Sequence, residues 1–245
     1  MILRHITEHV KAQNWVAVGI DFVIVVVGVF VGIQVSNWNE ELSDARRETI
    51  YLIELREDFR QIISELDQDA AQYERIANAM TLLLDQSRKP APDIPLAELN
   101  AAAGMIILME GTPIRSDTYE NLTGSGDLSI IESRALKRAL TSFFGRAGIV
   151  ELVADTHEMQ LVGLFQPFIV NHLDYALTLP KSRGLPPPEG FDPELIVTVL
   201  PTQEFRNVAA VKWDIVTDLR NMIMIALDDA RVVDTLLTQE LERRQ

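Results

Sequence analysis

The chain has 245 residues, of which 47% are hydrophobic and 24% charged, and this excludes both a disordered chain and a many-span transporter. The formal net charge is −14, and all the excess acid lies from Glu40 onward, where 34 Asp and Glu face 20 Lys and Arg. Nucleic acid is a poor partner for such a body, because phosphate binding needs clustered Lys and Arg. The absence of cysteine excludes disulfide scaffolds, thiolate metal sites and cysteine nucleophiles.

Residues 1–14 read as a short leader carrying Arg4 and Lys11. His5 and His9 lie one helical turn apart there with Glu8 beside them, but two ligands do not complete a metal site, and an interfacial helix is the reading. The stretch GIDFVIVVVGVFVGIQVSNWNEE (19–41) follows, and its residues 22–33 are all apolar or glycine. Trp15 and Trp38 flank it. Their 23-residue separation, at a rise of ~1.5 Å per residue, spans roughly 35 Å, which suits the two interfacial belts of a bilayer. Residues 15–38 are therefore expected to cross the membrane, with the lipid bilayer as partner. No small-residue cleavage site follows, so the segment reads as an uncleaved signal anchor. Arg4, Lys11 and the α-amine favour a cytoplasmic amino terminus and an external domain.

Asn14, Val18, Asp21, Val25, Gly28, Gly32, Val35 and Asn39 are spaced alternately by four and three residues, which puts them along one helix face. Gly28 and Gly32 form a small-xxx-small pair that admits a close neighbouring helix. Asp21 shares this face, and a carboxylate at a helix centre costs about 2.5–3.5 kcal/mol in lipid. Pointing it into a helix–helix interface lowers that cost, so a homo-oligomer or another membrane protein is expected. Two readings of Asp21 stay open: an acid that glues helices together, and a proton or ion relay. The layout for the second resembles the energising subunits of proton-driven stators, although their external domains are small α/β folds.

From Ile33 to Lys89 there is neither glycine nor proline, and apolar residues recur at steps of three or four from Leu52 through Phe59, Leu66, Tyr73, Ala77 and Met80 to Leu84. The spacing predicts a long amphipathic helix that either continues from the span or restarts near Asn37–Ser43. RKPAPDIP breaks it. A second helical region is predicted from about Leu96 to Met109, interrupted by GTP at 111–113. Ser116 then caps a short helix ended by Gly124, and Ser133 caps a third long pattern through Leu136, Leu140 and Ala147 toward Pro167. KSRGLPPPEGFDP reads as a loop, and LIVTVL as a helix or a lone strand. The last helix runs from about Gln203 to Glu242, with a stripe at Val208, Val211, Ile215, Leu219 and Met222 onward that repeats every eleven residues. Four long helical regions predict an all-α fold: a single transmembrane helix followed by an antiparallel bundle over residues 39–245.

No serine-elbow, zinc-protease or phosphate-loop motif occurs, and no histidine has a glutamate three residues before it. His157 and His172 read as solvated or buried structural histidines, and LTGSGDLS as a helix-terminating turn. No catalytic, metal or cofactor residue is assigned, and an enzyme is not expected.

Three stretches carry a resemblance: GIQVSNWNEE after the span, YLIELREDF at 51–59 and TYENLTGSGDLSII at 118–131. They are similar to an uncharacterised family of bacterial single-pass membrane proteins with an acid near the start of the span, a Gln-x-x-Asn-Trp-Asn-Glu exit and a helical domain. The matching residues here are Asp21, Gln34, Asn37, Trp38, Asn39 and Glu40. The resemblance implies a bacterial inner membrane and no particular activity. Trp15 and Trp38 suit the headgroup level, while Asn37 and Asn39 can cap a helix start or bond a neighbouring copy. The expected function is a membrane-anchored interaction or scaffold protein, the alternatives being a helical sensory or ligand-binding bundle and the relay role of Asp21.

Overall fold

The computed structural model describes residues 15–109, 111, 113–179 and 190–244, with side chains from Phe22 onward. The leader with His5 and His9, the side chains of Trp15 and Asp21, and most of the proline-rich loop lie outside the described residues. Every described element is helical. The chain divides into two units, one ending at Tyr51 and the other covering Leu52–Gln245.

The first unit is helix along its described length. Helix α1 (Trp15–Gln86) is one assignment of 72 residues. It does not restart at Asn37–Ser43, because no glycine, proline or competing cap interrupts the backbone ladder there. Of the two roles open to Asn37 and Asn39, capping a helix start does not apply, since no helix starts at either.

The second unit is built on three long helices: the part of α1 from Leu52 onward, α4 (Arg134–Gln160) and α8 (Gln203–Glu242). Between them come α2 (Leu96–Gly104) with a 3-10 turn Met105–Ile107, and α3 (Asp117–Ser125) with a 3-10 turn Asp127–Ser129. Past α4 come a π turn Leu161–Phe165, α5 (Gln166–His172), α6 (Tyr175–Thr178) and α7 (Leu195–Val199). The second predicted long region is thus only two and a half turns plus a 3-10 turn. LIVTVL resolves to helix.

Charge pairs and ring contacts fix the directions. Phe59 meets Phe143 at 5.0 Å between ring centroids, and farther along both helices Tyr73 of α1 and Glu158 of α4 line one cleft, so α1 and α4 run the same way. Helix α8 runs back against both. Arg231 pairs with Asp67 and Arg220 with Glu74 on α1, while Asp229 pairs with Arg146 on α4. These half-exposed pairs set register more than stability.

Buried positions on α8 include Ala209, Lys212, Val216, Leu219, Ile223, Ala226, Ala230, Val233 and Leu237. The predicted stripe holds at Val208, Leu219, Ala226, Ala230, Val233, Leu237 and Leu241, while at Val211, Ile215 and Met222 the buried position moves by one residue to Lys212, Val216 and Ile223. On α1 the stripe likewise moves by one residue past Tyr73, burying Ile76 and Leu83 where Ala77 and Leu84 were expected. The far end of the unit is closed by Met80, Leu99, Ile106, Phe168, Ile169 and Phe205, drawn from four helices and the 3-10 turn.

The Ser116 and Ser133 caps form as expected, accepting from Tyr119 N and Leu136 N. The end of α3 is corrected from Gly124 to Gly126, the residue with φ of 81° that a left-handed turn requires.

Candidate functional site

Val25 is 62% exposed and Trp38 63%, Asn37 and Asn39 are exposed, and a side chain at Gly28 or Gly32 would meet nothing within 4 Å. The face that the spacing predicts is therefore open along Val25, Gly28 and Gly32. Among the described residues α1 is the one helix long and apolar enough to cross a membrane.

The stretches 51–59 and 118–131 come together. Ser116 Oγ donates to Asp58 Oδ2 at 2.6 Å while accepting from Tyr119 N at 3.0 Å, and Thr118 N donates to the same carboxylate oxygen at 3.3 Å. A carboxylate thus sits at the N-terminus of α3, where unsatisfied amides and the helix dipole favour it. Beside it Phe59, Phe143 and Phe144 pack edge-on or tilted, and Tyr119 stacks on Phe144 with centroids 4.0 Å apart. Each such pair contributes about 0.5–1.5 kcal/mol beyond its buried area. Asp58, Phe59 and Tyr119 are joints of the fold.

The internal polar centre was not legible in the sequence. Lys212 of α8 is 0% exposed and His157 of α4 is 1% exposed. Lys212 Nζ lies 2.9 Å from the carbonyl oxygen of Leu108, to which it donates, 3.2 Å from His157 Nε2, and 5.1 Å from the centre of the Phe165 ring. The π turn supplies that ring. Burial pushes Lys212 down to about 7 and, together with the Lys212 charge, His157 down to about 4. His157 Nδ1 has no hydrogen-bond partner among the described residues. His172 differs: its Nδ1 bonds the Phe168 carbonyl at 2.9 Å, its ring stacks on Phe168, and Nε2 lies 3.6 Å from Glu204. His157 is thus buried and His172 partly exposed.

A two-lobed cleft opens between α1, the segment around Gly111, α4 and α8. Its lobes hold about 340 and 650 Å³ and share Asp69, Met109, Gly111 and Glu158. The smaller lobe has an apolar floor of Leu66, Ile114, Val150, Leu219 and Ile223. Tyr73 lines it and is only 2% exposed. Burial, with the Asp69 charge adding to it, pushes the Tyr73 phenol up to about 12, so it stays protonated at neutral pH. Gly111 keeps the hydroxyl clear, since a Cβ there would stand 3.3 Å from it. No group of three His, Asp or Glu among the described residues is placed to hold a metal ion.

Fold and cleft define an all-helical protein whose first helix is apolar enough to cross a membrane and whose body carries an open, acid-rimmed cleft. The chain belongs to a family of unknown function, DUF6090, whose model matches residues 21–149 and so takes in all three stretches singled out above. No curated protein and no solved structure matches it.

Proposed function

We propose that this is a single-pass membrane protein that works by association, with residues 15–38 in the bilayer and copies of the chain meeting along the Asp21, Val25, Gly28 and Gly32 face. The reading places it in a bacterial inner membrane, amino terminus in the cytoplasm and acidic body in the periplasm, and assigns it a binding and scaffolding role without a catalytic step. One observation carries it: every described side chain from Phe22 to Ser43 is exposed. Large apolar side chains each gain about 1.5–3 kcal/mol on leaving water, and lipid supplies that gain to the outward faces. Lipid does not serve a face bearing an acid and two glycines, whereas a second helix does.

The test is the mass of the purified full chain in mild detergent, with and without crosslinking. A defined oligomer that Gly28→Leu reduces to monomer is the expected result. A strict monomer, or an oligomer indifferent to Gly28→Leu, overturns the reading. A different membrane protein held in fixed ratio would replace the second copy as occupant.

A further inference from the structure

We infer that Lys212, His157 and the carbonyl of Leu108 form an acid-released latch: when the His157 ring takes up its second proton, the strip 105–109 lets go of α4 and α8 while the long helices stay folded. This goes beyond association through the span and does not depend on it.

Lys212 Nζ donates to Leu108 O at 2.9 Å and reaches His157 Nε2 at 3.2 Å. The amine is a donor, so Nε2 accepts and the ring proton sits on Nδ1, which has no hydrogen-bond partner among the described residues. Phe165 closes the joint. Its ring centre lies 5.1 Å from Nζ, and the ring stands perpendicular to that of His157 with centroids 6.0 Å apart.

A proton on Nε2 sets two donors against each other across 3.2 Å, and in acid both carry positive charge. Among the described residues no carboxylate bonds either side chain. The strip 105–109 and the π turn Leu161–Phe165 contain no titratable side chain. Asp155 and Glu158 on α4 and Asp214 on α8 are exposed to solvent. On α1, Glu74 is held by Arg220, Arg75 bonds Gln72, and Tyr73 keeps its proton beside Asp69. His172 on α5 is bonded to the Phe168 carbonyl. Burial and the Lys212 charge hold the His157 ring at about 4 against its ordinary 6.5, so charging the ring opposes the closed joint as pH falls through that window. Lys212, at about 7, is charged throughout it.

Hydrating two adjacent charges needs water, and the strip 105–109 is the thin wall through which it enters. Met105, Ile107 and Leu108 line a cavity of about 270 Å³, and Met109 lines the cleft. Between them runs only a 3-10 turn and its exit, with Leu108 N donating back to Met105 O at 3.3 Å. Such a turn yields more easily than the long helices α4 and α8. Release bares Ile106, which is 0% exposed in the closed form. Acid thereby turns an apolar side chain outward.

The experiment is hydrogen–deuterium exchange of the full chain in detergent from about pH 7 to about 4, with rates corrected for the exchange of free peptide. Amides of the strip should lose protection about tenfold or more through that window, reversibly, while those of 219–237 on α8 keep theirs. His157→Gln retains an acceptor for Lys212 and has no second proton to gain, so its strip should stay protected at the acid end. His157→Phe keeps a ring against Phe165 and removes the proton site; it should give the same flat profile, and it serves if the first variant does not fold. Three results overturn the inference: flat protection of the strip in the parent chain, equal loss in the strip and in α8, or an undiminished acid response in a folded variant. None of them touches the association reading, which rests on the span.

Discussion

Asp58 and Ser116, 58 residues apart, share a 2.6 Å hydrogen bond that places a carboxylate over the first turn of α3. The serine works in two directions, donating to the acid and accepting the Tyr119 amide. Removing its oxygen therefore undoes a cap and a charge-assisted bond together.

Ser116→Ala should destabilise the helical body by about 1–3 kcal/mol, read as a lower midpoint in urea with unchanged slope. Combining it with Asp58→Ala should cost clearly less than the sum of the two single changes, since each removes the same bond. Strict additivity would mean that the two residues do not act as a pair.

Phe143→Ala should cost about 3–5 kcal/mol, because its ring is fully buried against Phe59 and Phe144. Circular dichroism during thermal unfolding measures this, and a loss under 1 kcal/mol would show that the aromatic cluster relaxes around the gap.

Gly104→Ala tests the join between α2 and α6. A methyl group at Gly104 would overlap the backbone carbonyl of Thr178, so the two helices must part. Overpacking of this kind costs about 1–3 kcal/mol. Proteolysis near Tyr175–Thr178 should accelerate in the variant, and an unchanged cleavage rate would contradict the close approach.

Lys212 makes stability depend on pH. Its folded value of about 7 lies below the ordinary 10.5, so between those limits the unfolded chain holds a proton that the folded chain lacks. Stability therefore rises as pH climbs from 7 toward 10, with a slope of up to about 1.4 kcal/mol per pH unit. His157 acts in the same sense lower down: its folded value of about 4 against 6.5 means stability is lost as pH falls through that window. Lys212→Met should flatten the alkaline part of the profile in urea titrations across pH 7–10. A slope identical to that of the parent chain would show that the amine is not the titrating group.

Periodicity made the three long helices and the Ser116 and Ser133 caps readable, because caps and apolar spacing are local signals. The α8 stripe was read through Val211, since a lysine in a core is costly unless it finds partners. Lys212 finds them in Leu108 and His157, 104 and 55 residues away, which no local pattern reports. The same limit hid the cleft: Asp69 and Tyr73 lie one turn apart in the sequence, but Glu158, Leu219 and Gly111 reach them only through the common direction of α1 and α4. The end of α3 fell on Gly126 and not Gly124 because both are glycines, and only the tertiary path selects which of them turns. On the span the described side chains from Phe22 to Ser43 are exposed on every face, the Val25, Gly28 and Gly32 side among them.

The match to the family ends at residue 149, midway along α4, while α8, one of the two long helices that α4 lies against, does not begin until Gln203. A polypeptide cut at that border would lack α8 and keep only α1 beside α4, through contacts such as Phe59 on Phe143. The matched region alone is therefore expected to leave one side of α4 uncovered. It would be expected to aggregate or be degraded when expressed alone, and to become soluble again when α8 is supplied as a separate peptide.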